Sequence, residues 1–237
     1  FIYKYLGLNV CYFLATPDAF GGERIVGGEL TTIDRYPFQA ALLFGSSTYQ
    51  QSCGSSILNS RSILTAAHCF MWSTNIANYR VRVGSTFANS GGDVHATAQI
   101  IRHASYNWWS TDNDIAIVRI ASLITFNNVI QPASIAGTNY NVADNQAVWA
   151  TGWGRTSVGT KLIIGILDNI LQIRRKKTTR CTPGIVTDNM LCSGVLDVGG
   201  KDQCSGDSGG PLIHNGVVVG VCSWGEECAL ARNDKLV

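Results

Sequence analysis

Short apolar runs broken by turn signals recur along this chain, without long helical patterns between them. Phe38–Phe44, Ser56–Leu58 with Ile63–Leu64, Tyr79–Val83, Val94–Ile101, Ile115–Ile120, Gln146–Thr151 and Val217–Cys222 are each of strand length. Such spacing argues for an all-β protein, either paired β-barrels or a sandwich. The 25 glycines and the low charged fraction of 14% agree with that class. With 237 residues, 46% of them hydrophobic, the chain can fill one or two compact cores. No internal repeat or low-complexity segment is legible.

The segment Gly206-Asp207-Ser208-Gly209-Gly210-Pro211 sets a serine between glycines. Small neighbours let a substrate carbonyl approach closely and leave amide N–H groups free to face an oxyanion. A glycine-flanked serine also suits the nucleophile elbow of α/β-hydrolases, so the residues upstream must decide. A serine hydroxyl needs a base, usually a histidine held by a carboxylate. Of the four histidines, His68 stands in Thr65-Ala66-Ala67-His68-Cys69, where small residues and a cysteine suit a ring fixed at a strand end. His95 and His103 read as polar, turn-like positions. His214 precedes Asn215-Gly216, a strong hairpin signal, and reads as a surface residue at a strand end.

Asp112 and Asp114 both precede the strand pattern Ile115–Ile120. An acid touching a buried strand needs a hydrogen-bond partner, and an imidazole N–H would supply one. Asp114 directly abuts the run and is the better candidate. The order His68, Asp114, Ser208 is that of chymotrypsin-type enzymes. An α/β-hydrolase would need its acid and then its histidine after the serine, and only His214 follows Ser208.

With these residues in order, the chain resembles the trypsin-like serine proteases. The matching motifs are IVGG at 25–28, TAAHC at 65–69, DNDIA at 112–116, GWG at 152–154, GDSGGP at 206–211 and SWG at 223–225. Segments such as TTIDRYP at 31–37 and VGSTFANSGG at 83–92 look like digestive trypsins of moths and butterflies. The resemblance implies two six-stranded antiparallel β-barrels with the active site in the cleft between them. His68 and Asp114 would belong to the first (25–130), and Ser208 to the second (131–237).

The resemblance also assigns roles. His68, Asp114 and Ser208 would form the triad, and the N–H groups of Gly206 and Ser208 the oxyanion hole. Asp202, six positions before Ser208, would lie at the base of the primary pocket and pair with a substrate Arg or Lys. Gly225 would keep the pocket mouth open, and the backbone of Ser223, Trp224 and Gly225 would pair with substrate as an added strand. Cleavage at Arg24–Ile25 would free the Ile25 amine to pair with Asp207, making the written chain a zymogen that its own specificity would activate. The implied disulfides are Cys53–Cys69, Cys181–Cys192 and Cys204–Cys228, a pattern suited to an oxidising, extracellular setting. Cys11 and Cys222 are left over. Cys222 ends an apolar strand and reads as a buried thiol, with a Cys11–Cys222 bridge as the alternative.

A net charge of +2 offers no reason to expect nucleic-acid binding, and Arg174-Arg175-Lys176-Lys177 reads as a solvated loop. No segment has the run of apolar residues that a membrane helix needs. No cofactor is expected. No metal is expected either: the loop Gly84–Asp93 holds only Asp93 where the calcium loop of vertebrate trypsins is acidic, and the histidines lack zinc spacing. The expected partners are peptide or protein substrates and protein protease inhibitors, met by a monomer in the gut lumen.

Both ends invite expectations. Residues 1–15 are apolar after Lys4 and resemble a secretory signal, with a truncated start as the alternative, and 16–24 would be an activation segment. After Cys228 the family's last strand and closing helix are not recognisable before Val237, and residues 155–180 match the family poorly. Two readings follow: an active secreted endopeptidase, or a truncated, inactive homologue that binds inhibitors as a decoy.

Overall fold

The computed structural model describes residues 29–154, 166–174, 187–194 and 206–224. Its strands are β1 (Glu29–Thr31), β2 (Gln39–Gly45), β3 (Tyr49–Asn59), β4 (Ser62–Thr65), β5 (Tyr79–Val83), β6 (Asp93–Arg102), β7 (Ala116–Ile120), β8 (Ser134–Ile135), β9 (Ala147–Gly152), β10 (Ile166–Arg174), β11 (Cys192–Gly194), β12 (Pro211–His214) and β13 (Val217–Val221). Among the described residues the only helical elements are 3-10 turns of three or four residues, so the all-β expectation holds. None is long and apolar enough to cross a membrane.

Six strands close a barrel in the order β2-β3-β4-β7-β6-β5, which leaves no exposed sheet edge. Alternation explains its filling. Along β5, Tyr79, Val81 and Val83 are buried while Arg80 and Arg82 are only partly covered. Leu42, Ile57, Ile63 and Val118 meet these residues in one core. Each fully buried side chain of this size is worth about 1.5–3 kcal/mol.

The second sheet runs β1-β10-β9-β12-β13-β8, with β11 on β10, and is not closed among the described residues. Its smaller core is built on Val148, Ala150, Leu191, Leu212 and Val219. Although β1 precedes the first barrel in the chain, it pairs with β10 in this second sheet. The residues expected to lack the closing strand and helix, 225–237, lie outside the described residues, as do the N-terminal segments 1–28. The basic cluster lies there too, apart from the Arg174 backbone at the end of β10.

The hairpin signal holds: β12 and β13 pair antiparallel across Asn215 and Gly216, with φ of 48° and 77°. Two successive positive φ values match the twist of the flanking strands, and Asn-Gly adopts them readily. His214 itself corrects the sequence reading. It is 9% exposed, and its Nδ1 lies 2.8 Å from the Tyr140 hydroxyl. That phenol lets a polar ring occupy an interior position.

His95 is a second correction. It sits within β6, faces inward opposite Val81 and is 8% exposed, while its neighbour Val94 faces out. The inward register is possible because Ser122 Oγ bonds Nδ1 at 2.8 Å. Its Nε2 has no partner among the described residues. Burial pushes the imidazole below its ordinary value of 6.5, with the charge of Asp93 opposing. Below about pH 6.5 the unfolded ring binds a proton that the folded ring resists. The stability from this site is therefore complete above that pH and is lost as pH falls through the folded value. Urea unfolding at pH 5 and pH 7 checks this, with His95→Gln expected to shrink the difference. An unchanged slope would remove His95 as the cause.

Candidate active site

His68 stands in the 3-10 turn Ala67–Phe70, directly after β4, where the barrel wall ends. The Cys53–Cys69 disulfide, spanning 16 residues, ties this turn to β3. Closing a loop of that size contributes about 3 kcal/mol in the chain-entropy account. Asp114 lies just before β7 and is fully buried. Its Oδ1 accepts the His68 backbone N–H at 2.8 Å, and its Oδ2 lies 2.7 Å from His68 Nδ1. Ser223 Oγ also donates to Oδ2. Three donors thus compensate one buried carboxylate.

This arrangement sets the tautomer. A carboxylate can only accept, so Nδ1 carries the proton and Nε2 presents a lone pair. The ring keeps 20% of its side-chain surface exposed, enough to meet a reactant, whereas the carboxylate has none. Nearby, burial and then the charge of Asp114 push the Tyr106 phenol up, so it stays a neutral hydroxyl. Asp112 turns elsewhere: its Oδ1 accepts from Thr187 Oγ1 at 2.7 Å, linking the loop before β7 to the turn before β11.

Ser208 is held where the two sheets meet. Its carbonyl accepts the Gly54 N–H of β3 at 2.7 Å. Gly209 N–H donates to the Cys222 carbonyl at 2.7 Å, and Cys222 N–H returns a bond to Gly210 at 2.8 Å. A turn closes around the serine through Gly210 N–H and the Asp207 carbonyl, 2.8 Å apart. Gly54 must lack a side chain here, because its Cβ would lie 2.8 Å from Gly210 Cα. The triad candidates therefore come from both sheets, His68 and Asp114 from the first and Ser208 from the second.

The GWG motif, to which the sequence reading assigned no role, surrounds Asp207. That carboxylate is fully buried, and Oδ1 accepts the Gly154 N–H at 2.7 Å. A Cβ on either Gly152 or Gly154 would overlap the carboxylate. Glycines on both sides of a tryptophan, with a buried acid expected elsewhere, were the available signal.

Cys53, Cys69 and His68 bring three potential ligand atoms within 4.8 Å. Both sulfurs are spent in the disulfide and the ring Nδ1 is held by Asp114, so this is not a metal-binding set. Cys222 is buried directly after β13. Arg24, Ile25, Asp202, Gly225, Cys11, Cys181, Cys204 and Cys228 lie outside the described residues, and of Cys192 only the backbone, in β11, is described.

The trypsin family model matches residues 25–235. The chain belongs to the trypsin family. Trypsin CFT-1 of Choristoneura fumiferana is 58% identical over 217 residues, covering 89% of this chain and 84% of that protein. Trypsin, alkaline C, of Manduca sexta is 56% identical over 216 residues, with the same shares covered. Achelase-1 of Lonomia achelous is 53% identical over 207 residues, covering 84% of this chain and 95% of that protein. As a trypsin-family chain the protein is a serine endopeptidase, a hydrolase of peptide bonds in protein substrates. The family's protein inhibitors are its other class of partner.

Proposed function

We propose that this chain is the zymogen of a secreted, monomeric digestive endopeptidase that cuts after Arg or Lys. The observation that carries the reading is the fully buried Asp114 locked onto His68 Nδ1. It leaves Nε2 with a free lone pair on a partly exposed ring, and a base of that kind has no evident purpose in a binding-only homologue.

The proposed chemistry is acyl transfer. His68 Nε2 takes the Ser208 hydroxyl proton as Oγ attacks the substrate carbonyl carbon. The carbonyl electrons move onto oxygen, where the N–H groups of Gly206 and Ser208 stabilise the oxyanion. Collapse breaks the C–N bond, and His68 returns the proton to the leaving amine. Water, deprotonated by the same Nε2, then attacks the acyl carbon; the ester bond to Oγ breaks, the acid leaves, and His68 returns the proton to Ser208 Oγ. Asp114 orients the ring and stabilises its cationic form.

Specificity rests on the Asp202 carboxylate, placed six residues before Ser208. It would pair with guanidinium or ammonium and disfavour aromatic side chains. Ser223 and Trp224 would offer backbone to the substrate while the Ser223 hydroxyl serves Asp114. Activation is assigned to the Arg24–Ile25 bond, with the Ile25 amine pairing to Asp207. Secretion rests on the signal-like residues 1–15 and the cysteine pattern. The gut-lumen assignment rests on similarity to relatives named trypsins from moths.

The test is hydrolysis of Arg, Lys and Phe esters before and after cleavage at Arg24. Turnover of Arg and Lys esters only after cleavage, abolished by Ser208→Ala, is expected. Turnover of the Phe ester at a comparable rate would overturn the specificity, and turnover by Ser208→Ala would overturn the nucleophile.

A further inference from the structure

Gln51 reaches from one sheet to the other. It lies in β3 of the first barrel, yet its Nε2 donates to the Gly206 carbonyl of the second sheet at 2.6 Å. Gly206 has φ of 108°, a conformation open to glycine alone. Such a residue has no side chain to fix it, so the orientation of its peptide groups must be imposed from outside.

Two features of the first barrel aim Gln51 at that carbonyl. The β2–β3 ladder pairs Leu42 with Cys53 and then Leu43 with Gln51, so Ser52 is the extra residue of a bulge. Bulges re-aim the neighbouring side chain. The backbone N–H of Gln51 also donates to Asn89 Oδ1 at 2.7 Å. Asn89 belongs to the β5–β6 connection, which is braced by Ser85 Oγ donating to the Ser90 carbonyl at 2.6 Å.

The same connection reaches the next residue of the serine segment by a second path. The Thr86 carbonyl accepts Trp153 Nε1 at 2.8 Å, and the following Gly154 N–H donates to Asp207 at 2.7 Å. Gly206 and Asp207 are therefore each steadied from one surface connection of the opposite barrel.

We propose that Gln51, held by Asn89, is a positioning residue for hydrolysis: by holding the Gly206–Asp207 peptide plane it fixes the Gly206 Cα and limits the rotation that would swing the Gly206 N–H, on the adjoining peptide plane, away from the developing oxyanion. The inference rests on the assignment of Gly206 to the oxyanion hole made under the proposed function. Gln51 touches no reacting atom, so its removal acts on the transition state through Gly206 and leaves the primary pocket intact.

The experiment uses the chain cleaved at Arg24 and compares wild type with Gln51→Leu and Asn89→Ala. Four quantities are read: kcat and KM for an Arg ester, affinity for benzamidine, and affinity for an Arg peptide aldehyde. The aldehyde forms a tetrahedral adduct on Ser208 and needs the oxyanion hole, whereas benzamidine needs only the pocket. Gln51→Leu is expected to lower kcat and aldehyde affinity about tenfold, below the 10²–10³ that loss of a donor itself costs, with KM and benzamidine affinity unchanged. Asn89→Ala, at an exposed loop position, is expected to show a smaller loss of the same kind, and it carries the test if Gln51→Leu does not fold.

Wild-type kcat and aldehyde affinity in the folded variants would overturn the proposal. An equal loss of aldehyde and benzamidine binding would do the same, because it would mean general loosening of the site. A cleaved wild-type chain that binds benzamidine but turns over no ester would overturn the functional reading, and this inference with it.

Discussion

Asp114→Asn is expected to lower kcat for an Arg ester by about four orders of magnitude with little change in KM, the scale seen for this change in the Ser-His-Asp template. The cause is the tautomer. An amide in the place of Oδ2 can present N–H to His68 Nδ1, which must then accept and carry a lone pair. The proton moves to Nε2, and the ring can no longer take one from Ser208. The His68 backbone contact tolerates the change, since Oδ1 can still accept the N–H now 2.8 Å away, while the Ser223 hydroxyl that donates to Oδ2 must turn to accept from the amide. Steady-state kinetics alongside thermal melting separate the effects. A folded variant within tenfold of wild type would show that Asp114 does not set the tautomer.

Gly209→Ala is expected to be among the most destabilising single methyl additions to the described residues. Its φ of 81° is unfavourable for any L side chain. Its Cβ would lie 2.5 Å from the Gly54 carbonyl oxygen and would overlap Thr65 Oγ1. Neither neighbour yields easily, because Thr65 Oγ1 already donates to the Gly54 oxygen at 2.8 Å and the Gly209 N–H is bound to Cys222. Strain and overpacking together put the cost at roughly 3 kcal/mol or more. Displacing the adjacent Ser208 should cost at least about a hundredfold in kcat.

Gly216→Ala is the control. Its φ of 77° is similar, but nothing lies within 4 Å of the added methyl. Backbone strain alone predicts about 1–2 kcal/mol. Urea unfolding of both variants tests the argument, and equal costs would mean that packing against Gly54 and Thr65 contributes nothing.

The parts of the site that were legible in sequence are those whose chemistry leaves a local trace. Small residues before His68, an acid against a strand, and glycines around Ser208 each mark one member of the constellation. The supports were less legible. Ser223 was read for its backbone, and nothing in SWG announces that its hydroxyl reaches Asp114, far away in the chain. The start of β3 was missed because Gln50-Gln51-Ser52 is polar and a bulge interrupts its alternation. His95 was read as a polar, turn-like position because apolarity was the only guide to burial. The structure overrides it with one hydroxyl, that of Ser122.

The pairing of β1 with β10 carries a consequence for how the protein is made. Synthesis delivers β1 before any strand of the first barrel, but its partner emerges only after that barrel has been completed. The first barrel can close on the ribosome, whereas β1 must wait as an unpaired edge. Its docking is a long-range contact of the kind that forms slowly. Ser208 emerges later still, so the wall that carries Gly54 can be built before the nucleophile's segment reaches it. Vectorial synthesis thus separates the assembly of base and acid from the arrival of the group they activate.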